Sequence, residues 1–156
     1  MNKILINTNT HSTEETEAIG AELAELLLKE RSRLPLFLAL YGDLGVGKTA
    51  FTRGIASVIS PTSSVRSPTF ALVNQYKSDK IPFYHFDMYR ITDDDDLYSI
   101  GFYDYLSTCE ADKALCVVEW SENIPYALPE RYIKIMIEKL QGDADQRRIT
   151  VELVSE

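Results

Sequence analysis

The chain has two cysteines, one tryptophan and no uncharged apolar run near the roughly 20 residues that a bilayer span requires. Each scarcity excludes a class of protein. Cys109 and Cys116 fit neither a disulfide framework nor a four-ligand zinc site, and they read as inert thiols suited to a reducing compartment. The N-terminal MNKILINT lacks the extended apolar core of a secretory signal, so a cytoplasmic protein with no membrane association is expected. Basic charge is also short: 16 Lys and Arg stand against 24 Asp and Glu, for a formal net charge of -8. Gripping nucleic acid needs cationic surface to neutralise phosphates, so any nucleic-acid role is expected to be indirect. Fixed-period repeats, Gly/Ser linkers and low-complexity tracts are missing too, and residues 1–156 are expected to form one domain. The 45% of apolar residues suffices for one core in a chain of this length.

What is present alternates between strand and helix signals. Lys3 to Ile6 reads as a strand, and Ser12 followed by Glu15 is a capping-box pattern opening a helix to about Glu30. Leu36 to Tyr41 is a continuous apolar run, as in a strand buried on both faces, and Lys48 to Ile59 reads as a helix. Phe70 to Tyr76 and Ile81 to Met88 suggest a hairpin or neighbouring strands. The acidic run Asp93 to Asp96 precedes LYSIGFYDYL, where carboxylates cap amides and meet the positive end of a helix over Leu97 to Leu106. Ala114 to Val118 is another buried-strand candidate, and Tyr132 to Leu140 and Arg147 to Val154 alternate around a turn at Gly142. Together these predict an α/β, three-layer domain with a mostly parallel sheet and an antiparallel edge. Ligands of such sheets sit at the carboxyl ends of the strands.

One such end carries three glycines within six positions. Gly42-Asp43-Leu44-Gly45-Val46-Gly47-Lys48-Thr49 fits G-x-x-x-x-G-K-[ST], between a strand candidate and a helix candidate. Glycines let the backbone wrap a phosphate and turn its amides inward, and the following helix, from Lys48, Thr49 and Ala50 onward, adds its positive end. Lys48 is predicted to reach the β and γ phosphates, and Thr49 to offer its hydroxyl to Mg²⁺, a cation that prefers oxygen ligands.

Acidic partners must come from other strand ends. Glu119 closes the run Ala-Leu-Cys-Val-Val, where a P-loop enzyme places the carboxylate that holds Mg²⁺, although a plain strand-end acid has the same signature. Asp87 in FYHFDMYR is suited to orienting an attacking water or supporting the metal, or else to a structural pairing with Arg90 or His85. Arg90 is a candidate for neutralising phosphate charge, with an exposed salt bridge as its alternative. His85 reads as a satisfied, hydrogen-bonded histidine. Trp120 reads as a core residue or as the rim of the site.

With these residues assembled, the sequence resembles the bacterial TsaE family. The resemblance rests on GDLGVGKTAFTRG (Gly42 to Gly54), SPTF (Ser67 to Phe70), YHFDMYR (Tyr84 to Arg90), IGFYDYL (Ile100 to Leu106) and VEW (Val118 to Trp120), in the family's order over about half the chain. It implies a small P-loop ATPase using ATP and Mg²⁺ in tRNA threonylcarbamoyladenosine (t6A) biosynthesis at adenosine 37. The family's partners are TsaD and TsaB, with tRNA contacted only through that complex. It also implies roles: Lys48 for phosphate, Thr49 and Glu119 for magnesium, Asp87 as the essential acid of the HxDxYR motif, and Ser67-Pro68-Thr69 as a switch-like loop over the γ-phosphate. Family members usually carry a proline after the EW pair, whereas Ser121 follows here, so the resemblance specifies the metal ligand but not the shape of the next loop. Two other classes share a P-loop. A small-molecule kinase needs an acceptor pocket and an arginine-bearing lid, and no arginine-rich insertion is present; a nucleotide-sensing module binds without hydrolysis.

Overall fold

The structure is a computed structural model that describes residues 2–43, 45–66 and 73–155. Its elements, in order, are β1 (Lys3–Thr10), α1 (Thr13–Lys29), β2 (Phe37–Tyr41), α2 (Lys48–Ile59), β3 (Val73–Tyr76), β4 (Phe83–Asp87), α3 (Asp94–Ser99), α4 (Phe102–Asp112), β5 (Leu115–Glu119), β6 (Tyr132–Lys139) and β7 (Arg147–Val154). Two short 3₁₀ turns, Ser121–Asn123 and Pro125–Ala127, link β5 to β6. The expected strand start at Phe70 lies outside the described residues. Among the described residues no helix is long and apolar enough to cross a membrane.

Local signals account for the helix starts. Ser12 Oγ accepts from the Glu15 amide at 3.1 Å, while the Glu15 carboxylate accepts from the His11 amide at 3.2 Å, one residue earlier than a capping box specifies. Asp93 caps α3 through the Asp96 amide at 2.9 Å. The single helix expected over Leu97 to Leu106 is instead two, because Gly101 adopts a left-handed backbone (φ 74°) that ends one and begins the other.

The fold is α/β, built on one seven-stranded sheet in the order β1-β7-β6-β2-β5-β4-β3. The pairs β6·β2, β2·β5 and β5·β4 are parallel, whereas β1·β7, β7·β6 and β4·β3 are antiparallel. The sheet is therefore mixed rather than mostly parallel, with both edges antiparallel. The reason lies in the connections: β6 and β7 are joined by a short turn that permits only antiparallel pairing, and β1 then adds to β7 instead of entering the parallel set.

The apolar strands alternate between two cores. Leu38 and Leu40 of β2, Leu115 and Val117 of β5, and Ile133 and Ile135 of β6 meet Leu23, Leu27, Phe51, Ile55 and Ile59 from α1 and α2. Phe37, Ala39, Cys116, Val118 and Phe86 point to the other core, with Leu97, Phe102 and Cys109 from α3 and α4. Both faces are thus covered, and a strand such as Phe37–Tyr41 has no solvent face that would require a polar alternation. Fully burying a side chain such as Phe51 or Ile55 contributes about 2 kcal/mol, and these residues fix α2 directly behind the loop that precedes it. Close approach of α1 and α2 depends on missing side chains: a Cβ on Gly54 would lie 1.9 Å from the Glu17 carbonyl oxygen, and one on Gly20 would lie 2.2 Å from that of Phe51.

Candidate nucleotide site

The site begins where β2 ends. Gly42 turns the chain with φ 142°, and a Cβ there would sit 2.5 Å from the Ile137 carbonyl oxygen and 2.8 Å from Val46 Cγ2. Only glycine fits that corner. The loop is tied from three sides. The Val46 amide donates to the Asp43 carbonyl at 3.3 Å, Arg147 Nε donates to the Val46 carbonyl at 2.9 Å, and the Gly42 amide donates to Glu122 Oε2 at 3.1 Å. Leu44 lies outside the described residues.

Lys48 opens α2 and is only 5% exposed, unusual for an ammonium. Its Nζ donates to the Gly42 carbonyl at 2.5 Å and sits 3.4 Å from the centroid of the Trp120 ring. Burial pushes the Lys48 pKa below the ordinary lysine value, opposed in part by the negative charges of Glu122, Glu119, Asp87 and Asp43. The cation is thus held with little water around it, inside the turn of the loop.

The parallel pairing of β4 and β5 places Asp87 and Glu119 opposite each other at the carboxyl ends of their strands. Both are buried. The two oxygens of Glu119 face different groups: Oε1 accepts from the Thr49 hydroxyl at 3.4 Å, and Oε2 lies against Nε2 of His85. His85 is fully buried, and its Nδ1 is 3.0 Å from the Tyr76 hydroxyl, which donates to the Arg66 carbonyl at 3.1 Å. A polar chain therefore runs from Arg66 through Tyr76 and His85 to Glu119 and Thr49. Asp87 Oδ1 accepts the Tyr89 amide at 2.9 Å.

Trp120 follows in a left-handed conformation (φ 60°), which for a bulky residue costs on the order of 1–3 kcal/mol. The surroundings enforce it. The Asn123 amide donates to the Trp120 carbonyl at 3.0 Å, and buried Ser121 donates its hydroxyl to the Val118 carbonyl at 2.8 Å. The result is a ring tilted by 53° against that of Tyr89, with centroids 5.0 Å apart, and lying over Lys48. Ser121, at the position where the resembling family carries proline, thus fixes the turn by a hydrogen bond.

These groups border a cleft of about 470 Å³ lined by Gly45, Gly47, Lys48, Thr49 and Ala50 from one side and by Asp87, Glu119 and Trp120 from the other. Val46 borders a smaller adjoining hollow of about 90 Å³. Gly42 and Asp43 act as the corner and tie of the loop. Arg90 is exposed and does not line the cleft, and Ser67, Pro68 and Thr69 lie outside the described residues. Sequence reasoning missed Thr13, Arg53 and Tyr89 in the cleft wall and Arg147 beside the loop. It read His85 as structural, and the i, i+2 spacing of His85 and Asp87 on one strand was the available signal that both face the same side.

The donors suit magnesium. Thr49 and Glu119 present oxygens 3.4 Å apart. That combination matches a cation held by one hydroxyl and one carboxylate and otherwise by substrate oxygens and water.

Comparison with known proteins gives a consistent result. Residues 10–149 match the family described as threonylcarbamoyl adenosine biosynthesis protein TsaE. The chain is 40% identical over 119 residues to the tRNA threonylcarbamoyladenosine biosynthesis protein TsaE of Haemophilus influenzae, covering 76% of this chain and 73% of that protein. It is 38% identical over 145 residues to the Bacillus subtilis protein of the same name, covering 93% and 84% respectively. Its fold is similar to the crystal structure of Bacillus subtilis YdiB, with a TM-score of 0.71 and 33% identity over 99% of this chain and 88% of that one.

Proposed function

Because the chain belongs to the TsaE family of threonylcarbamoyl adenosine biosynthesis proteins, we propose that it is an Mg²⁺-dependent P-loop ATPase. Its hydrolysis serves t6A formation at adenosine 37 of tRNA, in the cytoplasm, with TsaD and TsaB as partners. In this reading residues 1–156 act as one P-loop NTPase-like domain, with helices layered on both faces of the sheet. The observation that carries the proposal is the meeting of Lys48, Thr49, Glu119 and Asp87 around one cleft at the carboxyl ends of β2, β4 and β5.

Each group has a physical task. The loop from Gly42 to Gly47 and the first turn of α2 direct amides and the helix's positive end at the phosphates of ATP. Lys48, already desolvated, supplies a fixed positive charge at the β and γ phosphates. Thr49 and Glu119 would hold Mg²⁺, whose charge neutralises phosphate oxygens. His85 occupies the far oxygen of Glu119 and so keeps the near one aimed at Thr49. Asp87, held by the Tyr89 amide, orients the attacking water and takes its proton. The Ser67-Pro68-Thr69 segment serves as a switch-like loop, and a partner that packs on it completes the site. Arg90 supports phosphate charge only after a rearrangement that brings it to the cleft. The net charge of -8 fits a chain that docks on protein and leaves tRNA contact to the complex.

The test is phosphate release from ATP, measured with and without purified TsaD–TsaB complex and tRNA at equal nucleotide saturation. Slow release alone and acceleration by the complex are expected. An unchanged rate would remove the companion-ATPase reading, and phosphate transfer to a small-molecule acceptor would establish a kinase instead.

A further inference from the structure

At the amino ends of β2, β5 and β6, the opposite end of the sheet from the P-loop, a cavity of about 360 Å³ opens between the 31–37 segment and the end of α4. We propose that this cavity is a second ligand site, which binds a small organic anion carrying an apolar body. The inner wall is apolar, made by Leu34, Leu36, Phe37, Leu106 and Ala114, and it reaches the buried thiol of Cys116. The rim is cationic, with Arg31, Lys113 and Arg131. A neighbouring hollow of about 330 Å³ shares Arg31 and Lys113 and adds Lys80. Three cations therefore line the cavity against one acid, Glu110, and the neighbouring hollow adds Lys80 and Asp112, on a chain whose overall charge is -8.

Two further observations indicate that the cations are kept there for a ligand. None of the four belongs to an ion pair among the described residues, and Lys80 and Arg131 donate only to backbone carbonyls, of Val58 and Arg33, so no carboxylate of the described residues pairs with their charges. Lys113 also caps α4 in the left-handed conformation (φ 54°), where glycine or asparagine is ordinarily found. A lysine there accepts backbone strain while keeping a positive charge at the rim. Arg131 is held in place by its Nη2, which donates to the Arg33 carbonyl.

The two linings together define the ligand. Inorganic phosphate would leave the apolar wall uncovered, and an uncharged hydrocarbon would leave the cations uncompensated. A carboxylate, sulfonate or phosphate ester on an aromatic or branched apolar group satisfies both. The volume lies at the small end of the roughly 300–1,000 Å³ typical of small-molecule sites. The position excludes competition with ATP, since the P-loop lies at the other ends of the same strands.

The probe is 8-anilinonaphthalene-1-sulfonate, titrated into the full chain by fluorescence in the presence of saturating Mg·ATP, with uncharged N-phenyl-1-naphthylamine as control. Saturable 1:1 binding of the sulfonate is expected, with preference over the uncharged analogue and slower alkylation of Cys109. Arg31→Ala with Lys113→Gly should weaken binding tenfold or more while the melting temperature holds or rises, since the glycine relieves the strained cap. Arg53→Ala, in the nucleotide cleft, should leave sulfonate binding unchanged. Wild-type affinity in the double variant, weaker binding with saturating Mg·ATP than without nucleotide, equal binding of the neutral analogue or lack of saturation would each overturn the proposal.

Discussion

Replacing His85 with alanine should destabilise the fold and loosen the metal position at once, and the two effects can be measured separately. His85 is fully buried and Glu119 is 3% exposed, so removing the imidazole leaves Glu119 Oε2 buried without its donor. Leaving a buried carboxylate oxygen unpaired and opening a cavity where the ring stood costs about 3–5 kcal/mol together. At roughly 3 °C per kcal/mol for a domain of this size, the melting temperature should fall by about 12 °C. Tyr76→Phe is the milder probe: it removes only the hydroxyl beside His85 Nδ1 and should cost about 1–2 kcal/mol. With its far oxygen released, Glu119 no longer has one orientation, and affinity for Mg²⁺ in the presence of ATP should drop about tenfold to a hundredfold. Thermal melts followed by circular dichroism give the first quantity, and Mg²⁺ titrations of nucleotide binding give the second. Glu119→Gln completes a double-mutant cycle, because a neutral amide is less costly to leave unpaired. The double variant should be more stable than the summed single costs predict by about 1–3 kcal/mol. Additive costs, or a loss below about 1 kcal/mol in His85→Ala, would refute the clamp.

Further variants test the rest of the site. Asp87→Asn keeps an oxygen for the Tyr89 amide, so stability should be nearly unchanged while phosphate release falls about a hundredfold; a drop in melting temperature with normal turnover would reduce Asp87 to a structural role. Gly54→Ala adds a methyl 1.9 Å from the Glu17 carbonyl oxygen, and the clash should outweigh the gain of about 1 kcal/mol in helix propensity, so chemical denaturation should show net destabilisation. Lys48 has a folded-state pKa below its unfolded one, so its burial costs stability at lower pH and that cost disappears as pH rises through the folded value towards the unfolded one. Triphosphate affinity has the opposite trend. It should fall at a less alkaline pH than an ordinary lysine would give, and ATP should raise the Lys48 pKa in ¹³C-NMR titrations of its Cε; a pKa at or above the ordinary lysine value without nucleotide would contradict the desolvated cation.

Legibility of the fold followed from how local each determinant is. The P-loop and α2 were readable because glycine spacing, the apolar run and the Lys-Thr pair all act within a dozen residues, and α2 begins and ends at Lys48 and Ile59 as the pattern predicts. The strand direction of β1 was not. Its eight residues fit a parallel or an antiparallel partner equally well, and only its pairing with β7, at the far end of the chain, settles the register. Gly54 was quoted as part of a motif, yet its packing role depends on Glu17, which no periodicity connects to it.

The same distinction explains the candidate site. Strand-end position marked Glu119 and Asp87 as acids at the correct edge, but their adjacency depends on β4 and β5 being parallel neighbours in one register. Once that register is given, the pleat turns His85 to the same side as Asp87 and brings Nε2 to Glu119. A histidine that reads from sequence as merely satisfied is then satisfied by the proposed metal ligand itself. Its structural and functional readings are one interaction: a buried carboxylate needs a hydrogen-bond partner to stay in place, and a magnesium ligand needs that same fixed orientation. Tyr76 extends the requirement to β3 and the Arg66 carbonyl, immediately before the segment from Ser67 that the family resemblance assigns to a switch-like loop.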